Sequence, residues 1–155
     1  YFKPKAILEL GTSVGLASVS LALPETAKMT SLEGCPQTAV VAQKHLKSAE
    51  LSNVEVIVGD FKQTLPQVIS EKFDLIYFDG NHSKEATLNY FEQLLPTVHN
   101  DSVWIFDDIY WSPEMTEAWE LIKQHPRVSV TVDCFWLGFV FFRTEQVEEH
   151  FKIRV

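Results

Sequence analysis

Short strand-like runs alternate with longer helical patterns along most of this chain. Five such runs, each four to six residues long, are expected at 6–10, 28–33, 54–58, 73–78 and 103–106. Short, largely apolar runs are typical of strands that are covered on both faces. Between them, apolar residues recur at spacings of three and four, as on the buried face of a helix. The alternation therefore predicts an α/β domain of three layers with a mainly parallel sheet.

Capping residues mark where the predicted helices begin. The first helix is expected at 14–23, and a short one at 64–70. Ser83 and Ser112 are placed to cap two further helices, since a serine side chain accepts a hydrogen bond from a backbone amide of the first turn. Pro113 then takes the first helical position, where the N–H that proline lacks would have no partner.

The C-terminal part of the chain has a hairpin pattern. Residues 128–135 and 139–143 are predicted strands, with the turn at 136–138 between them. The last dozen residues, 144–155, are compatible with a short helix or an edge strand. No repeat or linker interrupts the chain, so 1–155 is predicted to be a single domain. Since the first strand follows Tyr1 almost at once, we expect N-terminal helices of a longer protein to precede it.

Composition and charge exclude several classes of protein. Hydrophobic residues make up 46% and charged residues 22% of the chain, which excludes an intrinsically disordered protein. A formal net charge of −8 without a basic run argues against nucleic acid as a partner. With two cysteines, Cys35 and Cys134, the chain has too few for a disulfide scaffold, so we expect a reducing, cytoplasmic location. We expect no membrane span, because no apolar stretch is long enough.

An acidic residue stands at or beside the end of each of the five predicted parallel strands. These residues are Glu9, Glu33, Asp60, Asp79 and the pair Asp107 and Asp108. Ligands of open α/β sheets bind beyond the carboxyl ends of the strands. Acidic side chains there suit a ligand with hydroxyl and amino groups, or a metal ion, better than a polyphosphate.

A glycine loop follows the first strand. Gly11 and Gly15 permit a tight turn and the close approach of a ligand to the backbone, although a plain strand–helix connection explains them as well. The spacing differs from the G-x-G-x-x-G fingerprint of dinucleotide-binding folds. An NAD-dependent enzyme is therefore a disfavoured alternative.

Three segments together resemble class I S-adenosylmethionine-dependent methyltransferases. The segment 8–18, LELGTSVGLAS, resembles their first motif in the E-x-G-x-x-x-G form of catechol O-methyltransferase-like enzymes. The segment 73–83, FDLIYFDGNHS, resembles the motif of the fourth strand, and 103–108, VWIFDD, the metal motif of the fifth. The D-G-x-H-S segment with a downstream D-D is most similar to metal-dependent sugar and antibiotic O-methyltransferases. The likeness runs from about residue 5 to residue 143.

This resemblance implies both a fold and a function. The fold is a Rossmann-like, mostly parallel sheet of seven strands in the order 3-2-1-4-5-7-6, with a C-terminal β-hairpin. The reaction is methyl transfer from S-adenosylmethionine to a hydroxyl oxygen of a small molecule, a sugar or a phenol. The alternative is a non-catalytic, degenerate S-adenosylmethionine-binding domain, because Asn81 stands where relatives carry an aspartate base. A small-molecule acceptor is the expected partner, and a homodimer is a further expectation.

The resemblance also implies which residues bind the cofactor. They are Glu9, Gly11, Thr12, Ser13, Gly15, Glu33, Gly34, Asp60, Phe61 and Asp79. The glycine loop would pass beneath the methionine part, with Glu9 near its amino group. Glu33 would accept hydrogen bonds from both ribose hydroxyls, and Asp60 with Phe61 would contact adenine. The structural alternatives are a solvated strand end for Glu33 and a helix cap for Asp60.

A divalent metal is implied at Asp79, Asp107 and Asp108. Neighbouring strands lie about 5 Å apart, so carboxylates at their ends can converge on one ion. Oxygen ligands favour Mg²⁺, Mn²⁺ or Ca²⁺ over zinc. Such an ion would hold the acceptor oxygen and lower its pKa. Alternatively, Asp107 and Asp108 cap the following turn and bind only water.

His82, assisted by Asp79, is the predicted catalytic residue. Asn81 cannot take a proton, whereas histidine has an ordinary pKa near 6.5. A histidine that only forms local hydrogen bonds at the start of a helix is the alternative.

Four aromatic residues remain to be placed. Tyr110 and Trp111 are expected to line an acceptor pocket, because they follow the acidic pair. Phe135 and Trp136 are expected in the core or in an interface.

Overall fold

A single sheet of eight strands runs through the protein, and a computed structural model describes it for residues 2–24 and 26–154. The strands are β1 (Ala6–Leu10), β2 (Lys28–Glu33), β3 (Val54–Val58), β4 (Leu75–Phe78), β5 (Val103–Asp107), β6 (Val130–Asp133), β7 (Leu137–Phe141) and β8 (Glu149–Lys152). The helices are α1 (Leu16–Ala22), α2 (Pro36–Ser48), α3 (Phe61–Val68), α4 (Lys84–Leu94) and α5 (Pro113–Lys123), and a 3-10 turn follows α4 at Leu95–Thr97. No helix in the described part of the chain is long and apolar enough to cross a membrane.

The strand order is β3-β2-β1-β4-β5-β7-β6-β8, which confirms the predicted order of the first seven strands. The pairs among β1 to β5 are parallel, and β7 runs antiparallel to both β5 and β6. The eighth strand, β8, pairs parallel with β6 and lies within 144–155, so this segment forms the edge strand of the two predicted alternatives. Val155, the last residue of that segment, lies outside the described residues.

The C-terminal hairpin differs from the prediction in the position of its turn. The turn consists of residues 134–136 and is closed by the Cys134 amide, which donates to the Leu137 carbonyl at 2.8 Å. Gly138 lies inside β7 instead. A Cβ atom there would lie 2.7 Å from ring carbons of Trp119, so the glycine is needed for packing against this indole.

Two helices begin at other residues than predicted. Gly15 has a φ of +84° and precedes α1, which starts at Leu16 rather than at residue 14. The Asp60 side chain accepts a hydrogen bond from the Lys62 amide at 2.8 Å and so caps α3, which starts at Phe61 rather than at residue 64. This cap is the structural role considered for Asp60.

Two hydrophobic clusters lie on opposite faces of the sheet and confirm the three-layer architecture. The larger one packs α3, α4 and α5 against the sheet and is rich in aromatic rings. Phe78 stacks on Phe106 with 4.2 Å between ring centroids, and Phe91 meets Trp104 edge-on at 5.3 Å. The smaller cluster includes Ala22 of α1.

The sheet brings the loops that follow its parallel strands to one edge, here called the carboxyl edge. Because β6 runs antiparallel to β7, and β7 antiparallel to β5, the strands β6 and β8 also end at this edge. The glycine loop, the loops after β2, β3, β4 and β5, and the end of β8 are therefore on the same side of the protein.

Replacing Gly138 by alanine tests the packing role of this residue. Gly138→Ala is expected to lower the free energy of unfolding by about 1–3 kcal/mol, because the added methyl group must displace the Trp119 indole. Urea denaturation followed by circular dichroism measures this. Gly34→Ala is the matched control, since a Cβ atom there would meet no atom within 4 Å. Equal losses in the two variants would contradict the assignment.

Candidate active site

The glycine loop is held between β2 and β4 by backbone contacts. The amides of Gly11 and Thr12 both donate to the Leu32 carbonyl, at 2.9 and 3.2 Å. Gly11 has a φ of +100°, and a Cβ atom on it would lie 2.2 Å from the carbonyl oxygen of Asp79. Only glycine fits this crossing of two loops. The contact fixes the position of Asp79 relative to the loop.

Glu33 joins the glycine loop to the start of α2. Its Oε2 atom accepts a hydrogen bond from the Ser13 amide at 2.7 Å, and its Oε1 atom accepts one from the Cys35 amide at 2.8 Å. A carboxylate oxygen has two lone pairs, so each oxygen can accept a further hydrogen bond. Glu33 is thus a buried, oriented acceptor and not a solvated strand end.

A cavity of about 430 Å³ opens at the carboxyl edge beside these residues. Its lining comprises Gly11, Ser13, Glu33, Gly34, Thr38, Asp60, Phe61, Asp79, Gly80, Asn81 and Tyr90. Seven of the ten predicted cofactor residues are among them. Residues from five separate segments of the chain therefore meet around one space.

The other three predicted cofactor residues lie behind the cavity wall. Glu9 is fully buried, and its Oε2 atom accepts hydrogen bonds from the hydroxyls of Ser18 and Ser31. Thr12 is also buried and shares a hydrogen bond with Ser31. Gly15 packs against α2, where a Cβ atom would lie 3.1 Å from Ala42. These three residues support the glycine loop from the protein interior. That they contact a cofactor stays a prediction.

The sequence did not single out Thr38 and Tyr90 as cavity residues. Tyr90 lies on the buried face of α4, so its pattern indicates core alone. In the structure its ring meets Phe61 edge-on, with 5.4 Å between centroids, and its hydroxyl accepts a hydrogen bond from Asn81 Nδ2 at 3.2 Å. Thr38 lies in the first turn of α2, and its nearness to Glu33 was the one available signal.

A histidine lies between two carboxylates, one of which, Asp79, lines the cavity. His82 Nε2 is 3.3 Å from Asp79 Oδ1 and 3.9 Å from Asp108 Oδ2. The hydrogen bond to Asp79 raises the pKa of His82 above its usual value. Asn81 and Asp108 both have positive φ angles, +52° and +55°. Such conformations are uncommon outside glycine and often occur at functional sites.

The third carboxylate of the predicted metal site has other partners. Asp107 accepts a hydrogen bond from the Tyr77 hydroxyl at 2.7 Å and another from the Asp108 amide at 2.9 Å. Within residues 2–24 and 26–154, no three Asp, Glu, His or Cys side chains form a group suited to hold a metal ion. The three predicted ligands are at the ends of neighbouring strands. Two of them, Asp79 and Asp108, flank His82 instead of forming a metal site with Asp107.

Aromatic side chains continue the surface beyond His82. Trp111 is 67% exposed, and its ring centroid lies 6.5 Å from that of His82. Phe135 and Trp136 are also exposed, so they do not lie in the core, the first of their two predicted places. Their predicted place in an interface stays a prediction. They stand in the turn between β6 and β7, at the carboxyl edge. There the Phe135 ring lies 5.8 Å from Tyr110.

A sequence family described as "Methyltransferase domain" matches residues 8–109, from β1 to the loop after β5. The chain belongs to this methyltransferase family. The matched range includes the glycine loop, Glu33, Asp79 and His82. It also includes both carboxylates that follow Phe106.

Three known proteins illustrate the similarity. Catechol O-methyltransferase of Niastella koreensis is 33% identical over 111 residues, covering 68% of this chain and 49% of that protein. Catechol O-methyltransferase of Mycobacterium tuberculosis is 30% identical over 108 residues, covering 68% and 48%. The crystal structure of the O-methyltransferase from Bacillus cereus in complex with SAH has a TM-score of 0.76 and 25% identity, covering 90% of this chain and 75% of that one. The chain spans about half the length of the curated relatives it matches.

Buried Glu9 makes the stability of this methyltransferase domain depend on pH. Burial raises the pKa of Glu9 to about 7, although the Ser18 and Ser31 hydroxyls act in the opposite direction. Its Oε1 atom is buried without a hydrogen-bond partner. The folded state holds the Glu9 proton more tightly than the unfolded chain does. The protonated side chain therefore contributes to the free energy of unfolding below about pH 4.5, and this contribution is lost as the pH rises to about 7.

Glu9→Gln is therefore expected to remove part of this pH dependence. The variant should gain roughly 1–3 kcal/mol in unfolding free energy relative to the original chain between pH 5 and pH 8. Urea denaturation at a series of pH values measures the difference. Glu55→Gln, at an exposed position of β3, is the control and should follow the original profile. Parallel profiles for all three proteins would refute the role of Glu9.

Proposed function

We propose that the cavity at the carboxyl edge binds S-adenosylmethionine, and that its methyl group is transferred to a hydroxyl oxygen of a small molecule. One observation carries the proposal: the cavity joins the glycine loop and the oriented carboxylate of Glu33 to Asp79, which contacts His82. A donor-binding surface and a proton-accepting group thus lie side by side. The catechol O-methyltransferases among the relatives and the SAH complex support this assignment.

Different residues of the cavity lining suit the ribose, the adenine and the methionine part of the cofactor. The carboxylate of Glu33 can receive both ribose hydroxyls, because one lone pair on each oxygen is not used by the backbone amides. Phe61 and Tyr90 offer apolar ring surface for adenine, and Asp60 can accept a hydrogen bond from its amino group. The loop from Gly11 to Ser13 leaves room for the methionine part.

The reaction needs one proton to leave the acceptor. His82 Nε2 faces Asp79, so Nδ1 is the nitrogen that can accept this proton from the acceptor hydroxyl. The oxygen then forms a bond with the methyl carbon while the carbon–sulfur bond breaks, and its electron pair returns to sulfur. The products are the methyl ether and S-adenosylhomocysteine. Asp79 positions the imidazole, and general-base assistance of this kind contributes about 10²–10⁴-fold.

The acceptor is proposed to be a small molecule with a ring, either a phenol or a sugar. Trp111 presents exposed indole surface beside His82, and Trp136 presents exposed indole surface in the turn between β6 and β7. Flat aromatic faces bind such rings well. The surrounding carboxylates would repel polyanions, so a nucleic acid is not the proposed acceptor. Both cysteines are free thiols, which fits a protein of the reducing cytoplasm, the location that we propose.

A divalent cation remains a prediction for this site. Asp79, Asp107 and Asp108 supply the hard oxygen donors that Mg²⁺ prefers. A bound ion would supply Lewis-acid chemistry by polarising the acceptor oxygen. In the described geometry these carboxylates hold His82 and Tyr77, so the chemical steps above are assigned to the chain's own residues. Calorimetric titration of Mg²⁺ into the protein and into Asp107→Ala tests the site.

A non-catalytic cofactor-binding domain is the second candidate function. Asn81 favours it, because this amide stands where the resemblance to sugar and antibiotic O-methyltransferases implies an acidic base, and it is hydrogen-bonded to Tyr90. The two candidates differ in turnover but not in cofactor binding. A screen of phenols and sugars for methyl transfer separates them.

Loss of the Glu33 carboxylate should weaken cofactor binding. Glu33→Ala is expected to reduce the affinity for S-adenosylhomocysteine about 100-fold, because two charge-assisted hydrogen bonds are lost. Isothermal titration calorimetry measures the affinity, and circular dichroism checks the fold. Glu55→Ala on the neighbouring strand is the control and should bind as the original chain does. Unchanged affinity in Glu33→Ala would remove Glu33 from the binding site.

Loss of the His82 imidazole should affect turnover rather than cofactor binding. His82→Gln is expected to lower kcat by about 10²–10⁴-fold and to leave the affinity for S-adenosylhomocysteine within a factor of about two. His99→Gln is the matched control, since His99 pairs with Asp74 at 3.0 Å, near the start of β4 and away from the cavity. Full activity of His82→Gln would refute its catalytic role.

A further inference from the structure

The outer edge of β8 has backbone groups that are free to pair. Among the described residues, β8 is the last strand of the sheet and pairs with β6 alone. The Glu149 amide donates to the carbonyl of Ser129, just before β6, at 2.9 Å, and the Ile153 amide donates to the Asp133 carbonyl at 2.8 Å. Successive residues of a strand direct their amides to opposite sides, so the amides of His150 and Lys152 point away from the sheet. All four residues of β8 are exposed.

Charges of opposite sign flank this edge. Glu148 and Glu149 stand at its beginning, and Lys152 and Arg154 at its end. In an antiparallel pair of two identical copies, the acidic end of one strand lies beside the basic end of the other. Charged residues usually protect an edge strand by repulsion. Here the same charges become attractive when the partner is a second copy in antiparallel orientation.

Apolar side chains extend the complementarity. Phe151 is 45% exposed and Ile153 is 49% exposed. Phe151 pairs in register with Val132 and so projects on the half-buried face of the sheet. When the outward amides of His150 and Lys152 pair with a second copy, the Phe151 ring comes beside the same ring of that copy. Cross-strand aromatic pairs of this kind are stabilising.

The edge is held in position before any partner binds. Arg154 Nη1 lies 3.0 Å from Oδ1 of Asp133, a buried carboxylate that also accepts hydrogen bonds from Tyr110 and the Phe135 amide. The Thr131 hydroxyl and His150 Nδ1 are 2.9 Å apart. A pre-ordered strand loses less conformational entropy on association than a mobile one.

We infer that two copies of this chain associate through β8 about a two-fold axis, antiparallel, to form one continuous sheet. The contact consists of a short strand and its flanks, and is therefore smaller than the roughly 800 Å² per partner of a standard interface. The dimer forms reversibly, with a dissociation constant in the micromolar range.

The opposite edge of the sheet lacks this charge pattern. Its edge strand, β3, has the sequence VEVIV and has no charges of opposite sign at its two ends.

Sedimentation velocity over a range of protein concentrations tests the dimer. The expected mass rises from 17.7 kDa toward twice this value as the concentration increases. A mass of one chain at every concentration up to about 100 μM, well above a micromolar dissociation constant, would overturn the inference.

A pair of variants at residue 150 tests the backbone pairing. His150→Pro removes an outward amide but none of the amides that bond to β6, and should weaken dimerisation at least tenfold. His150→Ala also loses the side-chain bond to Thr131 but keeps the outward amide, so it should dimerise within about threefold of the original chain. Thermal melting followed by circular dichroism verifies that both variants are folded. Equal dimerisation of the two folded variants would overturn the pairing.

A second pair of variants tests the charges and the choice of edge. Glu148→Lys replaces one of the two acidic charges at the start of the β8 edge by a basic charge and should weaken dimerisation severalfold. Glu55→Lys introduces the same charge change on β3 and should leave dimerisation unchanged. If Glu55→Lys instead abolished the dimer and Glu148→Lys did not, the contact would lie at β3 and the inference would be wrong.

Discussion

The crossing of the glycine loop over the backbone of Asp79 is the constraint on which the site depends. A Cβ atom on Gly11 would lie 2.2 Å from the Asp79 carbonyl oxygen, so only glycine allows β1 and β4 to end this close together. Because of this contact, Asp79 is at the cavity wall while its side chain reaches His82. The residues proposed to bind the methyl donor and to accept the proton are thereby brought to one place by a backbone contact.

The carboxylates at the carboxyl edge have different hydrogen-bond partners, and these partners indicate a different role for each of them. Glu33 accepts two backbone amides and joins two loops, which suits a fixed acceptor of hydrogen bonds. Glu9 is buried with only two serine hydroxyls on one oxygen, and burial raises its pKa. Asp79 and Asp108 share the imidazole of His82 instead. Strand ends of one chemical type thus have three different environments, to which the proposed function assigns cofactor binding, support of the loop and proton transfer.

The residues after the C-terminal strand β8 connect this sheet edge to the loop after β5 and to the hairpin turn. Asp133 ends β6 and receives Arg154 from the residues after β8. Burial acts to raise the pKa of Asp133, but hydrogen bonds from Arg154 and Tyr110 outweigh it and hold the pKa below its usual value. Tyr110 in turn lies beside Phe135 in the exposed hairpin turn. The ion pair at the sheet edge is therefore connected to two aromatic residues of the carboxyl edge, Tyr110 and Phe135.

The sequence by itself determined the α/β class and, through its resemblance to methyltransferases, the order of seven strands and most of the cavity residues. Hydrophobic periodicity and strand-end acids are local signals, so they can be detected without a structure. Three features of the protein became visible only in the tertiary structure. Gly138 is required by an indole from another element, Tyr90 faces the cavity from an otherwise buried helix face, and His82 lies between carboxylates of two strands. Each depends on contacts between residues distant in sequence, which only the packing of the sheet and helices brings together.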